Sequence, residues 1–344
     1  MHALLKTLAA PGLALWLAAL PAVPACAAQA GWRQISVPGG APEAAATVVA
    51  LYYPTAAAER RVVMGPFAVT AAMQAEPEAT VKGLIVLSHG TGGTELGHTS
   101  LAEALARHGY LVAALRHPGD NWQDTSLRDG PAAGHYFTRR PLQVSQVIDA
   151  LLQDPTWKGR IAHDSQGPRV GAVGHSAGGY TVLALAGGRA DASRVATHCA
   201  AEAAADPIFC ALARGVAAPS SARPDLPPPP VTDPRVRAVV ALAPLGAPLR
   251  ADSLAGIRIP TLIYQAEQDR FLVPRFHAGW IASRMPRAQV VRVPGAWHFV
   301  FMDTPTLPLP SPDGDIGANA PGFDRAAFLD RLGRALPAFF DLSW

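Results

Sequence analysis

Runs of apolar residues along the chain predict strands that are buried on both faces. Such runs occupy Val81–Leu87, Tyr110–Leu115, Arg169–Val173, Val236–Ala243, Ile259–Gln265 and Gln289–Val293. A short continuous apolar run is typical of a parallel strand with helices packed on both sides. Nearer the N-terminus, Trp32–Val37 and Thr47–Tyr53 also predict strands, and the stretch after them is expected to be irregular, with an apolar patch at Val62–Ala68.

Between these runs, apolar residues recur at helical spacing. The predicted helices cover residues 98–108, Arg140–Leu152, Tyr180–Ala186, Arg275–Arg284 and Arg325–Phe340. Strands that alternate with helices predict an α/β fold, with a mostly parallel sheet flanked by helices. Ligand sites in such sheets lie beyond the carboxyl ends of the strands, so the loops after each strand are the places to search for chemistry.

Residues 187–235 interrupt this alternation. They contain two cysteines and the proline-rich run Pro224–Pro234. Two interpretations stay open, a plain surface insertion or a cap over the strand ends that shapes a substrate pocket. We therefore expect residues 31–344 to form a single α/β domain that carries this insertion.

The first 27 residues predict a cleaved signal peptide. Lys6 precedes the apolar run Leu8–Leu20, and Ala25–Ala27 supplies the small-residue pattern that signal peptidase cuts. We expect a periplasmic or secreted protein with no stable membrane span after cleavage. A buried N-terminal helix and a lipoprotein anchored through Cys26 are the alternatives.

Removal of that segment leaves Cys199 and Cys210 as the remaining cysteines. An even pair in an exported protein predicts a disulfide that closes a short loop. The alternative is two unpaired, buried thiols.

Charge and histidine spacing argue against two classes of protein. The net charge is +3, and the basic residues are scattered, as at Arg60–Arg61 and Arg139–Arg140, so no nucleic-acid partner is expected. The chain has 11 histidines, but no H-E-x-x-H or C-x-x-C motif, and we expect neither a metal nor another cofactor. The sequence gives no indication of the oligomeric state.

The segment Gly174–Gly178 reads Gly-His-Ser-Ala-Gly and lies between a predicted buried strand and a predicted helix. This G-x-S-x-G pattern places a serine on a strained turn, where glycines remove the crowding around it. The helix that follows would place its positive end near a developing oxyanion. Ser176 is therefore the predicted nucleophile.

A serine hydroxyl needs a general base, and histidine is the usual one. After Ser176 the chain offers His198, His277 and His298. His198 lies in the insertion and His277 in a predicted helix, whereas His298 follows the last predicted strand. His298 is the predicted base, since the order along the chain in this kind of site is serine, acid, histidine.

The acid that orients this histidine should follow a strand between the serine and the histidine. Asp269 comes just after Ile259–Gln265 and is the predicted acid, with Glu267 as the main competitor and Asp303 as a third candidate. Its carboxylate would select the tautomer of His298 and stabilise the imidazolium.

Two backbone N–H groups are needed to stabilise the oxyanion. The predicted donors are Ala177, directly after the serine, and Thr91, in the glycine-rich loop His89–Gly93 after an early strand. Phosphate binding is the alternative for that loop, but it lacks both the G-K-[ST] ending and the G-x-G-x-x-G spacing. Aromatic residues near the strand ends are candidate pocket residues: Trp122, Tyr180, Trp297 and Phe299.

Four segments in this order resemble a known family: Ser88–Gly93, His117–Asn121, Gly174–Gly179 and Ala296–His298. Together they resemble bacterial dienelactone-hydrolase-like proteins of the α/β-hydrolase fold, relatives of the platelet-activating-factor acetylhydrolases. The similarity extends over about residues 45–340. It implies cleavage of small or short-acyl esters without a cofactor.

Two departures from these relatives matter. Dienelactone hydrolases use a cysteine nucleophile, whereas this chain has Ser176. The acetylhydrolases take their acid from the strand that here reads Val239–Pro244, which contains no carboxylate. The sequence therefore predicts a serine carboxylic-ester hydrolase acting through an acyl-enzyme. A lipid or phospholipid acyl hydrolase, a polyester depolymerase, a peptidase and a ligand-binding protein on the same scaffold are the alternatives.

Overall fold

The computed structural model describes residues 28–40, 45–130, 132–214 and 231–344. The predicted signal peptide, with Cys26, and most of the proline-rich run lie outside the described residues. Within the described ranges, no helix combines the length and hydropathy that crossing a bilayer would need.

The described residues build one large sheet of 10 strands. In chain order the strands are β1 Gln29–Val37, β2 Thr47–Thr55, β3 Arg60–Met64, β4 Phe67–Met73, β5 Leu84–Ser88, β6 Leu111–Arg116, β7 Val170–His175, β8 Val236–Leu242, β9 Thr261–Ala266 and β10 Gln289–Val293. Across the sheet they run β10-β9-β8-β7-β5-β6-β2-β1-β4-β3. Every pair from β10 to β6 is parallel, and β2 joins β6 antiparallel.

Helices cover both faces of this sheet. They are α1 Thr99–Arg107, α2 Ser126–Asp129, α3 Tyr136–Gln153, α4 Ala177–Leu185, α5 Ala192–Glu202, α6 Pro207–Leu212, α7 Ala251–Ala255, α8 Ala278–Arg284 and α9 Arg325–Asp341. Alternate side chains of a strand point to opposite faces. Thus Leu84 and Val86 enter the core under α3, α4 and α8, while Ile85 and Leu87 enter the core under α1 and α9.

This architecture confirms the predicted α/β fold, and two boundaries bear on function. Helix α3 begins at Tyr136, four positions before the expected start at Arg140. Helix α4 begins at Ala177, directly after Ser176.

The expectation of an irregular stretch around Val62–Ala68 was wrong. Strands β3 and β4 form an antiparallel hairpin in which Met64 pairs with Phe67. A two-residue connection of this kind requires a positive φ, and Gly65 supplies it with a φ of 57°. Side chains alternate between buried and partly exposed along β4, so this segment lacks the continuous apolar run that marked the central strands.

The described part of the insertion contains helices α5 and α6. The predicted disulfide is present, and it joins Cys199 of α5 to Cys210 of α6. Val195 anchors α5 in the core under α4, and Ala190 forms an isolated β-bridge with Leu249, in the segment between β8 and α7. The insertion therefore packs against the body of the domain through buried contacts.

Candidate active site

Ser176 lies on the sharp turn between β7 and α4. Its backbone has a φ of 59° and a ψ of −118°, a region that residues with side chains rarely adopt. A Cβ atom at Gly174 would overlap the carbonyl of Gly178, and one at Gly178 would overlap the carbonyl of Ser88. Only glycine fits at both positions, and this close packing holds Ser176 in its strained conformation.

His298 follows β10 and contacts one of the three candidate acids. Its Nδ1 lies 2.7 Å from Oδ2 of Asp269. Because a carboxylate accepts hydrogen bonds, Nδ1 carries the ring proton, and the lone pair is left on Nε2. That Nε2 is buried and has no hydrogen-bond partner among the described residues. This arrangement suits a general base, because the lone pair on Nε2 can accept a proton.

The other two candidate acids lie elsewhere. Glu267 is exposed on the surface. Asp303 is committed to the start of α1, where its Oδ2 accepts hydrogen bonds from Thr99 Oγ1 and from the backbone N–H of Ser100, each at 3.0 Å. Burial raises the pKa of Asp303. Of the three candidates, the structure brings only Asp269 to the histidine.

Two residues that the sequence analysis did not assign hold the His298 ring in place. The ring of Phe271 stacks on it with centroids 4.8 Å apart and planes 13° apart. His175, the variable residue of the G-x-S-x-G motif, donates from Nε2 to the carbonyl oxygen of His298 at 3.0 Å. Burial holds the pKa of His175 well below its ordinary value, so this ring is a neutral support.

The glycine-rich loop after β5 passes directly against the serine. A Cβ atom at Gly90 would lie 3.1 Å from the Cβ of Ser176. The side chain of Thr91 is tied to Tyr136 through a 2.9 Å hydrogen bond between their hydroxyl groups. Ala177 is the first residue of α4, so its N–H has no partner within the helix. The predicted roles of Thr91 and Ala177 as oxyanion donors stay predictions, and both residues line the same cavity as Ser176.

A fully buried ion pair between Arg140 and Asp120 packs against the glycine-rich loop His89–Gly93. Arg140 also donates to the carbonyl oxygen of His89, while Oδ1 of Asp120 accepts from the N–H of Gly92 at 2.9 Å. The ion pair thus makes hydrogen bonds near both ends of the loop. In the sequence, Arg139–Arg140 was noted only as one of the scattered basic pairs. The signal for a buried role was an arginine on the apolar face of a predicted helix.

Burial and the nearby Arg140 charge lower the pKa of His89 to about 4 and hold that of His117 well below its ordinary value. Both rings are therefore neutral. The backbone N–H of His117 donates to Nε2 of His89, and Nδ1 of His89 then donates to the carbonyl of Gly90 at 2.6 Å. These histidines pin the loop to the end of β6.

A mostly apolar cleft opens at the serine. It encloses about 460 Å³ with its mouth included, and its walls are largely aromatic and aliphatic. Phe137 and Phe271 come from the body of the domain, whereas Phe209 and Leu212 come from α6 of the insertion. Of the two interpretations of the insertion, the one that shapes a pocket fits this arrangement.

None of the aromatic residues expected in the pocket lines this cleft. Trp122 is 63% exposed. Tyr180 is buried in the core, where its hydroxyl donates to the carbonyl of Phe137 at 2.7 Å. Trp297 is covered by the guanidinium of Arg270, 3.9 Å from the ring centroid. Proximity to a strand end in the sequence was therefore a poor guide to which side chains line the cleft.

A serine at a strand–helix turn, with a His–Asp pair at the same edge of a parallel sheet, defines a protein of the α/β-hydrolase class. Residues 85–308 match the model of the alpha/beta hydrolase family. The match spans more than half of the 344 residues, and the chain belongs to this family.

Two solved structures are similar to this chain. The chain is similar to a ferulic acid esterase from Streptomyces cinnamoneus, with 19% identity, a TM-score of 0.57 and coverage of 94% of this chain and 92% of that chain. It is also similar to a dienelactone hydrolase from Anabaena variabilis, with 16% identity, a TM-score of 0.48 and coverage of 92% and 99%. At this level of identity, the first likeness supports the fold.

Proposed function

We propose that the protein is a serine carboxylic-ester hydrolase that acts on small or short-acyl esters. The observation that carries this proposal is the hydrogen bond between Asp269 and Nδ1 of His298. It leaves Nε2 buried and without a hydrogen-bond partner among the described residues, on a ring that stacks on Phe271 of the cleft that Ser176 lines. A base oriented in this way is what a serine hydroxyl requires for nucleophilic attack.

In the proposed reaction, Oγ of Ser176 attacks the carbonyl carbon of the ester while Nε2 of His298 takes the hydroxyl proton. The N–H groups of Thr91 and Ala177 stabilise the oxyanion, and the leaving alcohol takes the proton back from His298. Water then attacks the acyl-enzyme. His298 accepts a proton from this water and returns it to Ser176 as the carboxylic acid departs.

The cleft supports a small apolar acyl group as the substrate moiety. Its walls present phenylalanine and leucine side chains, and such walls gain free energy by removing apolar substrate surface from water.

We further propose that the protein is exported to the periplasm or the cell exterior. The disulfide between Cys199 and Cys210 supports an oxidising compartment. N-terminal sequencing of the protein recovered from cell fractions would test this, with a mature chain that begins near residue 28 as the expected result.

A fluorophosphonate probe and p-nitrophenyl esters of rising acyl length test the reaction. The wild type should be labelled covalently and should hydrolyse the short esters. Ser176→Ala should lose labelling and about 10⁴-fold or more in kcat/KM. Ser193→Ala, an exposed serine in the insertion, is the matched control and should behave as wild type. A folded wild type that neither reacts nor hydrolyses would instead be a binding protein.

A further inference from the structure

A second group of histidines and a carboxylate lies outside the proposed triad. His198 on α5 and His277 before α8 each place Nε2 against Oδ2 of Asp206, at 2.9 Å and 2.8 Å. The side chains of Asp206 and His277 are fully buried, and that of His198 is nearly so. We call these residues the His–Asp–His cluster. It joins the insertion, which supplies His198 and Asp206, to the body of the domain.

The protonation pattern of the cluster follows from one backbone contact. The N–H of Gly246 donates to Nδ1 of His277 at 3.1 Å, so the ring proton lies on Nε2 and is donated to Asp206. A metal ion would need the Nε2 lone pair, and the ring proton would then face the Gly246 N–H. The cluster is therefore built for hydrogen bonds.

Charge within the cluster agrees with this assignment. Burial alone would raise the pKa of Asp206, but the hydrogen bonds that His277 and His198 donate to the carboxylate favour its charged form, and the pKa is lowered. Asp206 is thus a buried carboxylate whose two histidine partners satisfy it, and such a group is costly to leave unpaired.

The same carboxylate reaches the loop that follows the proposed catalytic acid. Oδ1 of Asp206 accepts from the backbone N–H of Val273 at 3.5 Å. Oδ1 of Asp269 accepts from the N–H groups of Phe271 and Leu272 at 2.9 Å and 2.8 Å. One carboxylate of the proposed triad and one of the insertion therefore hold successive residues of a single loop, and Phe271 of that loop lines the cleft.

On its other side, the cluster positions α6. Asp206 directly precedes this helix, which carries Phe209 into the cleft wall. The ring of Phe209 packs edge-on against that of His277, with centroids 4.8 Å apart. The disulfide ties Cys210, the next residue, back to α5. The wall formed by α6 is therefore held by hydrogen bonds, an aromatic contact and a covalent bond.

We propose that the His–Asp–His cluster locks the insertion as a fixed wall of the cleft, so that Asp206 is a positioning residue that limits the acyl length of the ester substrate. This inference rests on the proposed esterase function. While the lock is intact, α6 keeps Phe209 and Leu212 in the cleft wall, where they limit the room for an acyl chain. When it is broken, α6 can draw back and longer acyl chains fit.

The test compares two buried carboxylates with the same substitution. Asp206→Asn removes the negative charge of the cluster and replaces one accepting oxygen by an NH2 group, so that the N–H donors on one side of the side chain lose their acceptor. Asp233→Asn weakens the pair between the buried Asp233 and Arg235 at the end of the insertion, away from the cleft. For p-nitrophenyl esters, Asp206→Asn should raise the octanoate-to-acetate ratio of kcat/KM at least about tenfold. The change should lie in KM for octanoate, with kcat for acetate within about threefold of wild type. Asp233→Asn should leave the ratio unchanged.

Three further variants guard against a simple folding defect. Phe209→Ala shortens the wall without touching a charge and should shift the ratio in the same direction. His198→Gln keeps an N–H donor for Asp206 and should retain the wild-type ratio, whereas His198→Leu should shift it. An unchanged ratio in folded Asp206→Asn and Phe209→Ala would overturn the lock.

Zinc supplies an independent readout. The wild-type protein should bind no stoichiometric Zn²⁺ in calorimetric titration. Stoichiometric binding that His277→Gln abolishes would assign the cluster to a metal and overturn the proposal. A failure of the esterase function itself would look different, because the wild type would then neither react with fluorophosphonate nor hydrolyse any ester.

Discussion

The two sides of the cleft are held in place by different means. On the serine side, a strained backbone turn holds Ser176, and the glycines at positions 174 and 178 pack so closely that no side chain fits there. On the histidine side, side chains form the functional groups, and Phe271, His175 and Asp269 position the imidazole. Close packing of the backbone therefore fixes the turn at Ser176, whereas separate side-chain contacts fix the ring of His298, and each of these contacts can be weakened without the others.

Buried charge sharpens the contrast. The serine side depends on the fully buried Arg140–Asp120 pair, and removal of one partner from such a pair leaves a charge without compensation. Contacts on the histidine side are aromatic stacking and hydrogen bonds, each of smaller value. We therefore expect a single substitution in the ion pair on the serine side to have a large effect, and a single substitution among the contacts on the histidine side to have a moderate one.

Acid should break both sides, and this is the largest effect expected. Burial lowers the pKa of His89 to about 4 and that of His98 to about 3, and it holds those of His117 and His175 well below the ordinary 6.5. Between these values and 6.5 the unfolded chain binds more protons than the folded one. The stability is therefore complete above about pH 6.5 and is lost as the pH falls, by about 1.4 kcal/mol per pH unit for each histidine.

Urea unfolding at pH 7, 6 and 5 measures this slope. Glu103 works in the opposite direction, since burial raises its pKa to about 7 and its contribution is lost as the pH rises through that value. In His98→Phe the slope should be shallower, because the variant lacks one of the histidines whose pKa burial lowers. The substitution breaks no hydrogen bond, since neither nitrogen of His98 has a partner among the described residues. A free energy of unfolding that stays constant from pH 7 to 5 would contradict this account.

On the serine side, substitution of the buried arginine should be the single change that most lowers the free energy of unfolding. Arg140→Met leaves Asp120 without its counter-ion and should cost about 3–5 kcal/mol in the free energy of unfolding. The loop at His89 also loses a donor to its carbonyl, so kcat should fall by about 10²-fold or more.

A double variant separates these two effects. Arg140→Met with Asp120→Asn removes the uncompensated charge and should recover part of the stability but not kcat, as measured by urea unfolding and ester hydrolysis. Recovery of kcat together with stability would show that the ion pair serves only the fold.

On the histidine side, the loss of one contact should have a moderate effect. Phe271→Leu removes the stacked ring and should lower kcat about three- to tenfold, since such contacts contribute about 0.5–1.5 kcal/mol. The matched control is Phe323→Leu, which loses a ring contact with Phe328 away from the cleft and should leave kcat unchanged. Equal losses of kcat in both variants would argue against a local role for Phe271.

The smallest effect is expected at Trp122. Because this side chain is 63% exposed and does not line the cleft, Trp122→Ala should change the free energy of unfolding by less than about 0.5 kcal/mol. Its kcat/KM for short esters should stay within about twofold of wild type. A tenfold loss of kcat/KM would instead indicate that Trp122 contacts the substrate.

The central strands could be predicted because burial on both faces leaves a continuous apolar run, as at Val170–His175 and Val236–Leu242. The hairpin of β3 and β4 could not be predicted in this way, because its faces differ in exposure. The turn at Ser176 and the contact between His298 and Asp269 could be predicted from one local motif and the order of residues along the chain, while the catalytic roles of the three residues stay predictions.

The supporting residues had no such local signal. Arg140 acts on His89 from 51 positions away, and Asp206 acts on His277 from 71 positions away. Each of these residues is an ordinary charged side chain in its own neighbourhood. Its role depends on which distant atoms the fold brings to it, and neither periodicity nor spacing records that.

The backbone of Ser176 has a consequence for how such a protein can evolve. A φ of 59° with a ψ of −118° costs a serine about 1–3 kcal/mol, which glycine would largely avoid. Ser176→Gly should therefore melt at a higher temperature than the wild type while lacking the proposed nucleophile. Selection for thermal robustness alone would favour the inert variant, so only continued demand for turnover can keep the hydroxyl at this turn.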